Sequence, residues 1–164
     1  MRLDDITVTT IDGRSTSLRE YAGMTKLIVN VASRCGFTPQ YEQLEALQQR
    51  YAARGFTVLG FPSDQFQQEL SNDEAVADYC STTWGVTFPM FARVAVNGQD
   101  RSPVFAELAS APDDAGEAGD VRWNFEKFLV TPDGEVSRFR SATKPVDPAI
   151  VERIVASVQP AAAA

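Results

Sequence analysis

An α/β fold, with a mixed central sheet and helices on both faces, is predicted by three features of this 164-residue sequence. "KLIVNVAS" and "FTVLGFPS" are short, nearly uninterrupted apolar runs, the pattern of strands covered on both sides. Between them lie apolar residues at helical spacing, so strand, helix and strand follow in the order of a right-handed parallel unit. Farther on, "KFLVTPDGEVSRFR" alternates around Pro132-Asp133-Gly134, a hairpin turn that adds antiparallel strands.

Taken in order, residues 6–17 alternate around Asp12-Gly13 and predict a small N-terminal β-hairpin. Residues 26–33 form the first buried strand. Thr38 as N-cap and Pro39 as first helical residue then open a helix. Tyr41, Leu44, Leu47 and Tyr51 mark its buried stripe, and Gly55 ends it. Residues 56–63 form the second buried strand. Asn72 caps a helix from 73 to about 82, and "FPMFARVAVNG" predicts a third strand that turns at Asn97-Gly98. Residues 103–109 make a short helix, and the acidic stretch 111–120 reads as a mobile loop. Residues 147–158 give the last helix, with Pro148 in its first turn. No repeat or low-complexity linker divides the chain, so residues 1–164 are expected to form one domain, with 160–164 as a frayed tail.

The totals narrow the function. A hydrophobic share of 44% and a charged share of 23% are ordinary for a globular protein. At this length roughly 70% of the unfolded surface can be buried. A net charge of −7 argues against binding nucleic acid or anionic lipid. No apolar run approaches the roughly 18 residues of a membrane span, and the first residues lack the pattern of a secretory signal. No membrane insertion is therefore expected, and the expected compartment is the cytoplasm, where a static disulfide is unusual. The chain has two cysteines and no histidine. That excludes Ser-His-Asp and Cys-His pairs and any His-containing zinc site, and no metal or cofactor is expected.

Cys35 is the candidate nucleophile. It falls where the first buried strand gives way to a helix start, the edge at which open α/β sheets bind ligands. Unpaired amides and the positive end of the helix dipole favour a thiolate there. Arg34 stands beside it in sequence. On position alone, a small buried hydrophobe finishing a strand is an equally good reading.

Three motifs in series, "VNVASRCGFTPQYEQLEALQQRYAARGFTVLGFPSDQF", "QQE" and "WNFEKFLVTPDGEV", resemble the glutathione peroxidase family across residues 5–158. The resemblance implies a thioredoxin-like fold and a peroxidatic cysteine, Cys35, surrounded by Gln, Trp and Asn. Trp123 and Asn124 follow from "WNF" and Gln68 from "QQE". An indole N–H and two amides can hydrogen-bond a thiolate and orient a peroxide without becoming proton acceptors, which suits a chain lacking histidine. One departure stands out. The family usually reads like "FPCNQFGGQEPG", whereas this chain has "FPSDQFQQEL", one residue shorter, which leaves Gln65 and Gln67 open beside Gln68.

Cys80 lies near the place where two-cysteine members of the family carry a resolving cysteine. The resemblance implies that Cys80 attacks the sulfenic acid of Cys35 and that thioredoxin reduces the resulting disulfide. The expected substrate is hydrogen peroxide or an organic hydroperoxide. A short helix around Cys80 is expected to unwind on oxidation, and an exposed Trp84 or Phe88 to offer a docking patch. The segment before "WNF" is short, lacking the insertion that tetrameric relatives use as an interface, so a monomer is expected. Two other readings of the residues remain: a redox sensor using the same disulfide switch on a partner protein, and a non-catalytic scaffold with inert thiols.

Overall fold

The structure, a computed structural model, describes residues 2–161. The tail expected at 160–164 therefore lies mostly outside the described residues. The chain opens with the expected hairpin, β1 (Thr7–Thr9) against β2 (Ser15–Ser17). Its turn closes through Gly13, whose φ of +93° suits a residue without a side chain.

The central sheet has four strands, β3 (Thr25–Val31), β4 (Phe56–Pro62), β5 (Lys127–Val130) and β6 (Val136–Phe139), in spatial order β4-β3-β5-β6. β3 runs parallel to β4 and antiparallel to β5, and β5 is antiparallel to β6. The sheet is therefore mixed, as the sequence predicts. β3 and β4 are buried at every position, which explains their continuous apolar runs.

Helices cover both faces. Leu27, Val29 and Val31 of β3 pack with α1 (Gln40–Tyr51), α2 (Asp73–Trp84) and α4 (Pro148–Ser157). Ile28, one residue out of step, faces the hairpin and α3 (Pro103–Leu108). Three helices carry side-chain caps, of which the sequence predicted the one at Asn72. Asn72 accepts from Ala75 N–H, Ser102 from Val104 N–H and Asp147 from Ala149 N–H.

Two elements differ from expectation. Residues 88–98 do not form the predicted third strand. They make isolated bridges, Gly60 to Met90 and Thr10 to Phe91, and otherwise run as an irregular extended segment. Pro62 and Pro89 carry no N–H, so the ladder along β4 is reduced to Gly60 N–H to Pro89 O, Phe91 N–H to Gly60 O and Val94 N–H to Pro62 O. Gly60 permits that close approach, because a Cβ there would stand 2.5 Å from Met90 Sδ.

The acidic stretch 111–120 is tied down, contrary to the mobile loop expected. Asp113 is buried and accepts from Ala115 N–H and Glu117 N–H, both at 2.9 Å, and from Arg140 Nε at 2.9 Å. These donors hold its carboxyl down to about 2. Arg140 also reaches Glu126, which pairs with the fully buried Arg138 at 2.6 Å. Arg138 in turn donates to the carbonyls of Ala111, Gly119 and Asp120. The loop is thus fastened to the sheet by charges whose partners lie far away in sequence.

Candidate active site

Seven residues after Ile28, Cys35 sits in a turn between β3 and α1, with its side chain buried. Helix α1 begins at Gln40, later than expected, and Thr38 does not cap it. The Thr38 hydroxyl instead spans the turn: it donates to Ala32 O at 2.8 Å and accepts Cys35 N–H at 3.0 Å. Phe37 N–H points at Cys35 Sγ, 3.3 Å away. Arg34 is exposed, as expected for a residue adjacent to a buried one in an extended turn.

The remaining candidates converge on this turn. Arg34 N–H donates to Gln68 O at 2.8 Å, which lays the 64–70 loop beside Cys35. Gln68 Oε1 accepts from Asn124 Nδ2 at 3.0 Å. Trp123 and Asn124 are brought in by β3: Asn30 Nδ2 donates to Trp123 O at 3.0 Å, and Phe125 N–H donates to Asn30 O at 2.6 Å. Phe125 then takes a left-handed φ of +64°, unusual outside glycine, which swings the chain from the "WNF" turn into β5. Its carbonyl is held at 2.5 Å by the buried ammonium of Lys127, whose burial pushes its pKa down to about 7.

The three glutamines separate clearly. Gln65 Oε1 accepts from Val96 N–H and Asn97 N–H at 2.5 and 2.7 Å, and its amide donates to Asn97 O. It is spent on pinning the 88–98 segment. Gln67 is exposed, with a φ of +61° that turns the loop. Gln68 alone of the three joins Asn124. Its amide N–H₂ is left to point elsewhere, because the contact to Asn124 uses only its oxygen.

Asn124 is buried, whereas Trp123 is 37% exposed and leans on Phe66 with ring centroids 5.1 Å apart. The arrangement offers a thiol, a backbone N–H, amide donors and an indole N–H, and no proton-accepting imidazole. Among the described residues no group of three or more His, Cys, Asp or Glu side chains is arranged to hold a metal.

Cys80 lies just before the last turn of α2, buried in the same cluster as Cys35. Both are free thiols. Burial pushes the Cys80 thiol up to about 11. Phe88 is buried rather than exposed, and Trp84 is half-buried, stacked against Tyr41 at 6.2 Å. Neither forms the outward patch expected, because the loop after α2 folds inward. Glu45 of α1 accepts from Thr87 N–H and the Thr87 hydroxyl and draws it in.

Sequence reasoning missed four contributors: Thr38, Asn30, Lys127 and Glu69, whose Oε1 accepts Ser33 N–H at 3.0 Å and Leu70 N–H at 2.8 Å and so ties the 64–70 loop to the cysteine turn. Each acts through contacts distant in sequence or inside a turn. The only available signal was Glu69, the last letter of the "QQE" motif, which served there only to locate Gln68.

A mixed sheet with a cysteine in the turn that follows its first central strand has the plan of a thioredoxin-like fold. A thioredoxin-family thiol:disulfide interchange protein of Chlorobium tepidum TLS shares this fold, with a TM-score of 0.62 over 92% of this chain and 90% of its own, at 20% identity. The chain belongs to the glutathione peroxidase family, whose sequence model, described as glutathione peroxidase, matches residues 3–109. It is 48% identical to the thioredoxin/glutathione peroxidase BtuE of Escherichia coli (strain K12), covering 88% of this chain and 90% of that one. It is 49% identical to the hydroperoxy fatty acid reductase gpx1 of Synechocystis, covering 82% and 84%. A crystal structure named as Trgpx in apo form superposes with a TM-score of 0.76 at 34% identity, covering 98% and 99% of the two chains.

Proposed function

We propose that this thiol peroxidase reduces hydroperoxides at Cys35 and is recycled through a Cys35–Cys80 disulfide. The observation that carries the reading is the Asn124–Gln68 contact, tied by Gln68 O to the backbone of Arg34 and so to the cysteine turn. The Cys35 thiolate attacks one peroxide oxygen, the O–O bond breaks, and the alkoxide leaves and takes a proton from water. Cys35 is left as a sulfenic acid. The amides of Gln68 and Asn124 and the indole of Trp123 supply fixed dipoles toward the charge that builds on the departing oxygen.

Cys80 then attacks the sulfenic sulfur; the S–S bond forms, the S–O bond breaks, and water leaves. Thioredoxin reduces this disulfide by exchange through a mixed disulfide, in keeping with the name of the Escherichia coli relative, thioredoxin/glutathione peroxidase BtuE. The reading makes the protein a monomer working in the reducing cytoplasm. Among the described residues no helix is long and apolar enough to cross a membrane. The half-exposed Trp123 and its neighbour Phe66 give a peroxide with an apolar tail a surface to lie on.

Two outcomes test the reading. Cys80→Ser is expected to consume one equivalent of peroxide at the wild-type rate and then stall with thioredoxin, thioredoxin reductase and NADPH present. Sustained NADPH oxidation by that variant would remove Cys80 from the cycle. Asn124→Ala leaves Gln68 unpaired and is expected to slow the peroxide step by roughly 10²-fold, the scale of losing one aligned donor. Rapid-mixing kinetics of Cys35 oxidation reads this, and a change smaller than twofold would take Asn124 out of the chemistry.

A further inference from the structure

Asn124 reaches Gln68 from a turn whose backbone is held outside its ordinary range. Phe125, the next residue, is fully buried at a φ of +64°, a conformation that a side chain opposes and that persists only where the surroundings fix it. Two hydrogen bonds fix it here. Phe125 N–H donates to Asn30 O of β3 at 2.6 Å, and Phe125 O accepts from Lys127 Nζ at 2.5 Å. The same ammonium donates to Ser141 O at 3.2 Å, and that carbonyl also accepts from Gln40 Nε2 at 2.8 Å. Gln40 opens α1, and its N–H returns to Phe37 O in the cysteine turn at 2.8 Å. Lys127 thus ties the turn bearing Trp123 and Asn124 to the start of the helix that follows Cys35.

A lysine is a costly residue for that place if packing is its whole role. It has no solvent exposure, and the carboxylate next to it in sequence, Glu126, is engaged by Arg138 and Arg140. Its hydrogen bonds go to backbone carbonyls, and a methionine of similar length would fill the space without the desolvation. Resting on the reading that Asn124 and Gln68 act on the departing oxygen at Cys35, we propose that Lys127 is a positioning residue for peroxide reduction. Its hold on the Phe125 carbonyl fixes the backbone from which Asn124 reaches Gln68.

The links are hydrogen bonds or covalent neighbours throughout. Lys127 Nζ meets Phe125 O, the adjoining Asn124 donates through Nδ2 to Gln68 Oε1 at 3.0 Å, and Gln68 O accepts from the N–H of Arg34, the residue before Cys35. Without the ammonium, Phe125 is released toward ordinary backbone angles and the Asn124 amide moves with it. The loss should therefore appear in the rate of Cys35 oxidation, and only while Asn124 is present to be displaced.

The test is a double-mutant cycle on the full chain, reduced, mixed rapidly with hydrogen peroxide, quenched by alkylation and read by mass spectrometry of Cys35. Lys127→Met should slow Cys35 oxidation by roughly tenfold, a part of the roughly 10²-fold that a misplacement of about 1 Å costs. In the Asn124→Ala background the same change should add less than a further twofold, because residues acting as one unit are not additive. Lys127→Gln, which keeps a donor on a shorter side chain, should fall between Lys127→Met and wild type, and it carries the cycle if the methionine variant is unfolded. Thermal unfolding of each variant separates the two roles, since a purely structural lysine moves the midpoint and leaves the rate of the folded protein alone. A folded Lys127 variant that oxidises Cys35 within twofold of the wild-type rate if it is Lys127→Met, or no slower than wild type if it is Lys127→Gln, overturns the proposal. So does an equal loss with and without Asn124. Asn124→Ala alone at the wild-type rate removes instead the reading beneath the proposal, a separate result.

Discussion

Cys35→Ser is expected to lower peroxide reduction by on the order of 10⁴-fold or more, because a serine hydroxyl is not ionised at neutral pH and no histidine exists to activate it. The fold should survive. The turn around residue 35 is held by Thr38, which bridges Ala32 O and the residue 35 amide, and neither bond uses the sulfur. The matching check is thermal unfolding of the variant alongside its activity with hydrogen peroxide and thioredoxin. Retained turnover in a folded Cys35→Ser protein would transfer the chemistry to Cys80, which has no amide aligned on it.

The largest stability effect is expected at Glu126. Its carboxylate is fully buried and serves both Arg138, also fully buried, and Arg140. Glu126→Leu fills the space yet leaves the Arg138 guanidinium without its counter-charge. Breaking a buried pair from one side costs about 3–5 kcal/mol. The urea midpoint should fall accordingly, with the slope of the transition unchanged. The 111–120 loop should become the first region to exchange its amides, since Arg138 and Arg140 also hold the carbonyls of Gly119, Asp120 and Glu117. A loss under 1 kcal/mol would mean that the network is balanced by its own desolvation and contributes nothing net.

The contrast between these two regions shows what the sequence made legible. The strand–helix–strand core was readable because β3 and β4 are buried throughout and mostly apolar and α1 carries its stripe at Tyr41, Leu44, Leu47 and Tyr51. The Asn72 cap was readable because it bonds the Ala75 amide three residues on, whereas Thr38, expected to cap α1, is used inside the cysteine turn instead. The 111–120 loop was misread as mobile because Asp113 is neutralised by Arg140, 27 positions away, which no local pattern reveals. Residues 88–98 were misread as a strand because their apolar alternation was visible but the break in the ladder along β4 left by the missing N–H groups of Pro62 and Pro89 was not.

Within the site, the motif resemblance placed Cys35, Gln68, Trp123 and Asn124, and the structure brings them to one edge of the sheet. What it could not convey was which glutamine turns inward. Gln65 is committed to Val96 and Asn97, and only coordinates reveal that.

The most direct measurement is peptide mapping of wild-type protein after one equivalent of hydroperoxide, with free thiols blocked at once. A disulfide-linked pair of peptides carrying Cys35 and Cys80, with no added oxygen elsewhere, is the predicted result. An unmodified Cys35 after the peroxide has been consumed would contradict the account.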